Sequence, residues 1–425
     1  MPSVQLPPEL VADVLDTFVL SSPSHAARIP NLASFAVVSR KWHAAATPLL
    51  YRNLYLDSRR RGKILDALEG NEALLPVVRE LSLSGGGLSG TEHEPDAEYA
   101  RLKRVLTQCG NVQRLSYHCF DASTLLDLTW FVSDTWPTLR YLRADQSAHL
   151  FDLLGRLPAL ETLIASSIEV PAQGGSVTPR PPPSPPSAPS RSPSPGSTRT
   201  STPGPPTRPT FRLKRLDSGS SPRPSDFQLL TSSSASTLRS LDLPLSSLTS
   251  QDLSSFTSLE RLTLTLAERY LPLPVPGPGP GPGQPATTRN DARLVRRLRH
   301  TLDRVSASGA PLRVLEVHEP HYAATAPIAA GALFPEEEEE EDGRAGAGFL
   351  DAVPRCVERL ELQTLEALEA RDIARAFASA SERRARSGCC DGLRQLVLAR
   401  KVALQDGAGE MRRVLEKRGV EVVWE

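Results

Sequence analysis

The chain has 425 residues, of which 39% are hydrophobic, only 5% are aromatic and 39 are proline. That length predicts two or three folding units, and the high proline and low aromatic content predict unstructured inserts beside a globular part. Lys and Arg together number 49, as do Asp and Glu, so the chain has no net charge that would attract nucleic acid or an acidic membrane surface.

The cysteines predict neither a disulfide framework nor a metal site. Their number is odd and their spacing is unpaired, which fits a reducing compartment. No apolar run approaches the length of a membrane-spanning helix. We therefore expect an intracellular protein, in the cytoplasm and/or the nucleus, without membrane or nucleic-acid partners. The five cysteines are Cys109, Cys119, Cys356, Cys389 and Cys390.

Residues 5–56 contain two segments of helical periodicity followed by a strand. The first segment opens on Leu6-Pro7-Pro8, where proline suits the first turn of a helix. We expect a loop over Ser21 to Pro30, and an end to the second helix at Thr47-Pro48, because proline has no N–H to donate. Alternation over Tyr51 to Leu56 predicts the first strand. The apolar residues at helical spacing are Leu10, Val14, Leu15 and Phe18, then Leu32, Phe35, Val38 and Trp42.

This stretch resembles an F-box. Leu6-Pro7, Glu9-Leu10 and Val14-Leu15 are similar to the family's Leu-Pro-x-Glu-Leu opening, and residues 38–42 are similar to its Val-Ser-x-x-Trp ending. The resemblance implies docking onto the Skp-type adaptor of a cullin–RING ubiquitin ligase. The alternative is an ordinary amphipathic helix pair, and some of these residues must also form the module's own core. By match to the motif, the adaptor-facing residues would be Leu6, Pro7, Leu10, Val14, Leu15, Leu32, Val38 and Trp42.

From residue 78 onwards the pattern L-x-x-L-x-L recurs with conservative replacements. Helical patterns stand between several copies, and turn residues precede most of them. Repetition of strand, helix and turn predicts parallel strands joined by crossover helices. The copies begin at Val78, Val112, Leu139, Leu160, Leu238, Leu259, Leu312, Val357, Leu393 and Val420.

Each predicted strand alternates, as where Leu81 and Leu83 flank Ser82. Strands of a doubly wound sheet or a barrel are covered on both faces and form continuous apolar runs, so the alternation favours one polar face. The pattern is similar to leucine-rich repeats, and Leu139 and Leu160 stand 21 residues apart, inside the family's range of about 20–29. The expected fold is therefore α plus α/β: a small helical F-box-like module over residues 1–50, then an irregular leucine-rich-repeat-like α/β solenoid over residues 51–425.

Three inserts are predicted to be disordered, at about residues 171–224, 273–290 and 335–347. The first is rich in Pro, Ser, Thr and Arg and contains Ser-Pro and Thr-Pro pairs, so phosphorylation there would lower a local positive charge. The second contains a Pro-Gly alternation that favours an extended spacer. The third contains the acidic run Glu336 to Asp342.

The sequence offers little for catalysis, and we expect neither an enzyme, a cofactor nor a metal. His318-Glu319-Pro320-His321 is not the helical H-E-x-x-H, because Pro320 prevents helical placement of the two imidazoles. Gly85-Gly86-Gly87 lacks the Lys-Ser/Thr of a phosphate loop. Cys389-Cys390 has no second pair at ligand spacing.

The polar face of the predicted sheet is the expected target-binding surface, since Arg and Tyr anchors often carry the affinity of protein interfaces. The leading hypothesis is a substrate-recognition subunit of an SCF-type ubiquitin ligase. The alternatives are a non-catalytic interaction scaffold without a ligase role and, third, a parallel α/β enzyme. The candidate target-binding residues are Arg114, His118, Tyr141, Arg143, Asp242, Arg261, Glu316, Arg359 and Glu361.

Overall fold

The computed structural model describes most of the residues outside the longest predicted inserts. The described residues are 6–21, 25–57, 61–84, 95–118, 132, 135–144, 154–166, 211–219, 222, 224–248, 253–266, 286–319, 349–362, 365, 369–387 and 392–425. Within these ranges the chain forms helices and the strands of one sheet. The described helices are α1 Pro8–Ser21, α2 His25–Ala36, α3 Arg40–Arg52, α4 Arg61–Glu69, α5 Pro95–Gln108, α6 Pro224–Thr231, α7 Leu245–Leu248, α8 Ala286–Ala307, α9 Ala370–Ser387, α10 Arg400–Ala403 and α11 Ala408–Glu416, with 3₁₀ turns at Glu72–Val77 and Phe349–Ala352.

Over the described residues the sheet has 12 strands, which are all parallel and stand side by side in chain order. The strands are β1 Asn53–Leu56, β2 Glu80–Ser84, β3 Arg114–His118, β4 Tyr141–Ala144, β5 Thr162–Ala165, β6 Arg215–Ser218, β7 Ser240–Pro244, β8 Arg261–Thr265, β9 Val314–His318, β10 Arg359–Glu361, β11 Gln395–Leu398 and β12 Glu421–Trp424. The described connections include helices between β1 and β2, β2 and β3, β6 and β7, β7 and β8, β8 and β9, β10 and β11, and β11 and β12, in keeping with the crossovers that parallel pairing requires. The chain is therefore of the mixed α/β class.

One apolar row crosses the whole sheet at the second position of each strand. Leucine occupies this position in every strand except β12, where valine replaces it. All the leucines are buried and pack, with the inner faces of the helices, into one core. A burial of this kind contributes about 1.5–3 kcal/mol per side chain, so the repeated leucine fixes the register of each strand. The row is Leu54, Leu81, Leu115, Leu142, Leu163, Leu216, Leu241, Leu262, Leu315, Leu360, Leu396 and Val422.

The first three helices have a small core of their own. Val11, Leu15 and Leu32 are almost fully buried in it, and an aromatic group of Phe18, Phe35 and Trp42 packs beside them. The ring of Phe35 lies edge-on to Phe18 at 5.5 Å and is stacked against Trp42 at 5.4 Å. Helix α3 runs directly into β1, so it crosses the expected boundary at residue 50.

Three predictions about this helical region are wrong. The second helix begins at His25 and contains Pro30, so the loop is shorter than the expected Ser21 to Pro30. It ends at Ala36, and Ser39 caps a separate helix by accepting a hydrogen bond from the Trp42 N–H at 3.4 Å.

That third helix continues through Pro48 to Arg52. Leu49 and Leu50 pack on the helical core while Tyr51 packs on the core of the sheet. Packing on both sides offsets the hydrogen bond that proline removes, a loss of about 3 kcal/mol.

The predicted inserts are also shorter than expected at two places. Residues 211–219, placed in the first insert, form β6 and its approach, with Phe211, Leu213 and Leu216 buried. Composition averaged over 54 residues hid three apolar residues whose burial depends on neighbouring strands. Helix α8 begins at Ala286, inside the second predicted insert. The remaining predicted disorder, including residues 335–347, lies outside the described residues.

Candidate interaction surfaces

Helix α1 has an apolar stripe that the fold does not cover. Leu10 and Val14 are four residues apart, which places them on one side of the helix, and each is 48% exposed. Leu6, two residues before the helix begins, is 41% exposed. Val11 and Leu15, one position further on, face the helical core. The apolar arc of the helix is therefore wider than its packing on the helical core uses, and Leu10 and Val14 form the uncovered part.

More exposed apolar side chains belong to the turn that joins α2 and α3. Val37 is 84% exposed and Val38 is 63% exposed. The cap formed by Ser39 and the hydrogen bond from the Val38 N–H to the Phe35 carbonyl at 3.1 Å fix this turn. Local hydrogen bonds therefore keep the side chains of Val37 and Val38 exposed. We call Leu6, Leu10, Val14, Val37 and Val38 the exposed apolar set.

Four of the sequence-predicted adaptor contacts do not belong to this set: Pro7, Leu15, Leu32 and Trp42. Leu15 and Leu32 are 0% and 2% exposed, so their side chains stabilise the helical module and leave no surface for a partner. Trp42 is half-buried against Phe35. Pro7 is exposed beside Leu6. Helical periodicity could not separate the two groups on α1, because the exposed and the buried apolar residues are next to each other around the helix.

On the sheet, the residues at odd strand positions face away from the core, and we call this side the polar face. Two predicted target-binding residues meet there on β3 and β4, where the Arg114 guanidinium carbon lies 4.2 Å from the centroid of the Tyr141 ring. Arg143 is exposed two residues beyond Tyr141. A cation over an aromatic face contributes about 0.5–1 kcal/mol at an exposed site. His118 ends β3, and its side chain lies outside the described part of the chain.

A second group is centred on Glu316 in β9. Its carboxylate is 3.0 Å from Arg261 Nε and 3.3 Å from His318 Nε2, and it accepts a hydrogen bond from the Thr263 hydroxyl at 3.1 Å. Burial acts to raise the pKa of Glu316, but the His318 hydrogen bond, the Arg261 charge and the Thr263 hydroxyl together hold it below its usual value. The same hydrogen bond raises the pKa of His318. This network holds Arg261 and Glu316 in one arrangement.

Glu361, one of the predicted target-binding residues, is largely buried by its own chain. It is 7% exposed and accepts a hydrogen bond from Arg359 Nε at 2.6 Å. Arg359 also reaches Gln395 at 3.4 Å and Glu425 at 3.6 Å, so its side chain contacts a residue of β11 and the residue that follows β12. Val397, the third residue of β11 and in register with Glu361, is fully buried, so the polar face is not polar along its whole width.

Carboxylates recur at the third position of neighbouring strands. Asp217, Asp242, Glu316 and Glu361 stand on β6, β7, β9 and β10, with Thr263 between them on β8. Arg215 lies 3.5 Å from Asp217, but Asp242 makes no ion pair with any described residue. Burial, followed by the like charge of Asp217, raises the pKa of Asp242 to about 7.

The sequence did not point to Arg215 or Asp217, because they belong to the missed strand β6. The signal that could have found them is the leucine of the apolar row: Leu216 stands between the two, as Leu241 stands between Ser240 and Asp242. The structure brings the predicted residues together in two groups, one on β3 and β4 and one on β7 to β10, with β5 and β6 between them.

The described residues contain no group of three or more side chains able to hold a metal ion. His318 instead interacts with Glu316, while His321, residues 85–87 and the pair 389–390 lie outside the described part of the chain. Of the thiols, Cys109 is buried, which raises its pKa to about 12, and Cys356 is exposed.

No family model and no curated protein matches this chain. In the part of the chain that the structure describes, no helix combines the length and the apolar character needed to cross a membrane.

Proposed function

We propose that this protein is a substrate receptor of a cullin–RING ubiquitin ligase, in which α1 to α3 act as an F-box-like module and bind a Skp-type adaptor. The observation that carries the proposal is the exposed apolar set. Leu6, Leu10, Val14 and Val38 are residues on which the resemblance to the F-box motif rests, and the fold leaves them exposed. Scattered apolar residues are normal on surfaces, but a regular stripe on one side of a helix favours a docking site.

The sheet would present the target. We infer that it is an irregular leucine-rich-repeat-like solenoid, supported by the chain-order pairing of its strands and the leucine row. The two groups on the polar face supply charged and aromatic side chains held by neighbours, as binding surfaces require. The receptor itself performs no chemistry: holding target and ligase in one assembly raises the effective concentration of target lysines at the catalytic subunits.

Adaptor binding tests the proposal. Leu10→Asp and Val14→Asp place a charge in the exposed stripe, and each should weaken binding of the full-length protein to a Skp-type adaptor by about tenfold or more, since a lost apolar contact costs about 1.5–3 kcal/mol. Pull-down followed by titration calorimetry measures the loss. Thermal unfolding should change little, because neither side chain belongs to the helical core.

Leu404→Asp is the matched control. Leu404 is 89% exposed and lies between α10 and α11, far along the chain from the module, so the same change should leave adaptor binding intact. Unimpaired adaptor binding by the double variant L10D/V14D would contradict the docking proposal. In that case a scaffold without a ligase role, the alternative from the sequence, becomes the better account.

A further inference from the structure

The turns that lead into the last four strands border an open cleft of about 440 Å³. Four arginines and one glutamate line it, together with one cysteine. This volume falls within the range of small-molecule sites, about 300–1,000 Å³. We call it the arginine pocket; its charged and thiol residues are Arg313, Arg355, Cys356, Glu358, Arg394 and Arg418.

The backbone fixes the centre of the pocket. Arg313, Glu358 and Arg394 are the residues immediately before β9, β10 and β11. The Arg313 carbonyl accepts the Glu358 N–H at 2.8 Å, and the Glu358 carbonyl accepts the Arg394 N–H at 2.8 Å. The three side chains are thus held next to one another at the spacing of parallel strands, about 4.8 Å.

Elsewhere in the sheet, oppositely charged residues that stand immediately before neighbouring strands form ion pairs. Lys214 lies 3.0 Å from Glu161 before β6 and β5, and Arg239 lies 3.7 Å from Glu260 before β7 and β8. Arg313, Glu358 and Arg394 repeat that alternation of charge, yet none of them forms an ion pair with a described residue. Their side chains line the cleft instead of pairing with one another.

The shape of the pocket depends on a close approach of two turns. A Cβ on Gly392 would lie 2.2 Å from the Arg355 carbonyl oxygen, so only glycine lets the turn before β11 pack against the turn before β10. Gly419, before β12, has φ +71, a conformation that glycine adopts without strain. These two positions set the walls that carry Arg355, Arg394 and Arg418.

We propose that the arginine pocket binds a compact, multiply charged oxyanion, with Arg313 and Arg394 as its main donors. A guanidinium presents N–H donors in a planar fork that matches the oxygens of phosphate or carboxylate, which makes such contacts stronger than those to a simple halide. Arg313 and Arg394 make no ion pair with a described residue and flank the single carboxylate of the lining, Glu358, so the three side chains keep a net positive charge. Two guanidinium forks present several N–H donors, so an anion with several oxygens fits the site better than a halide. This site is separate from adaptor docking and does not depend on the proposed function.

Cys356 provides a reporter inside the pocket of the unmodified full-length protein. It is exposed, and its alkylation by neutral iodoacetamide can be followed on the peptide that carries it, apart from the other cysteines. Pyrophosphate should slow this alkylation more than sodium chloride of equal ionic strength. Citrate and inorganic phosphate in parallel reactions distinguish a polycarboxylate from a phosphate ligand, and protection by either at matched ionic strength supports the oxyanion site.

Substitutions test whether Arg313 and Arg394 donate hydrogen bonds to the bound anion. R313Q and R394Q should each weaken pyrophosphate binding, measured by calorimetry, by about tenfold or more, because a hydrogen bond to a charged group contributes about 1.5–3 kcal/mol. R394K, which keeps the charge but not the fork, should restore part of the affinity. R140Q is the matched control. Arg140 is exposed and stands immediately before β4, as Arg313 and Arg394 stand immediately before their strands, but it lies outside the pocket.

Both substituted arginines are exposed and make no ion pair with a described residue, so thermal unfolding should not change. Equal protection of Cys356 by pyrophosphate and by matched sodium chloride would overturn the proposal. Unchanged pyrophosphate affinity in both R313Q and R394Q would also overturn it.

Discussion

Asp242 stands at a gap in the charge pattern of the polar face. On β6, β8 and β10 an arginine occupies the first strand position, but β7 has Ser240 there. Asp242 therefore lacks the cation that Asp217 receives from Arg215, and Asp217 and Glu316 add like charges near it. A carboxylate in such a position is held closer to its neutral form.

The stability of the protein should depend on pH through this residue. The pKa of Asp242 is about 7 in the folded protein and about 3.9 in an unfolded chain, so the folded state binds the extra proton between these values and loses stability as the pH rises through them. Asp242→Asn removes the charge and should raise the free energy of unfolding by roughly 2–4 kcal/mol at pH 8.

Urea denaturation of both proteins at pH 8 and at pH 5 measures this effect. At pH 5 the folded wild-type residue is already largely neutral, so the gain should be much smaller there. The nearby groups that also titrate or carry charge are Arg215 and Asp217 on β6 and Glu316 and His318 on β9, which both proteins share. An equal gain at both pH values would show that the carboxylate of Asp242 is not held neutral by its surroundings.

At the scale of elements, β6 shows how weak the local signal of a strand can be. Its four residues, Arg215 to Ser218, include one leucine and follow a tract dominated by proline and serine. The strand forms because β5 and β7 offer unpaired backbone groups on either side, with Leu216 in register with Leu163 and Leu241. Hydrogen bonds to both neighbours and burial of one leucine decide the conformation, and neither can be read from the segment alone.

Leu216→Ala tests whether β6 belongs to the sheet. Deleting most of a fully buried leucine leaves a cavity, and the expected loss in the free energy of unfolding is about 2–5 kcal/mol. Leu404→Ala, at an exposed position, should change stability by less than about 0.5 kcal/mol. Chemical denaturation measures both. A loss at Leu216 no larger than that at Leu404 would place β6 outside the core.

At the scale of the whole molecule, each strand pairs only with its neighbours in the chain. Energetic coupling between the first and the last strands must therefore pass through all the strands between them. In such an arrangement distant sites behave independently, since they share no contacts. The helical module and the arginine pocket lie at opposite ends of this order.

Hydrogen exchange should reveal that independence. Leu396→Ala in β11 should increase amide exchange in β10, β11 and β12 through local opening, and leave β2, β3 and β4 unchanged. Leu115→Ala in β3 should have the reverse effect. Mass spectrometry of exchanged peptides resolves the two regions. A uniform rise in exchange over the whole sheet for either variant would contradict local coupling.

The sequence by itself determined the kind, number and order of most strands, because alternation and the repeated leucine act over a few residues. It also indicated the exposed positions Leu10, Val14 and Val38, although it could not separate them from the buried Leu15 and Leu32. Tertiary structure decided that separation, the passage of α3 through Pro48, and the presence of β6. It also decided which charges pair: Arg313, Glu358 and Arg394 line a cleft and make no ion pair with a described residue, while Arg239 pairs with Glu260. The reason is physical: periodicity reports on local conformation, whereas burial and ion pairing depend on side chains from distant parts of the chain.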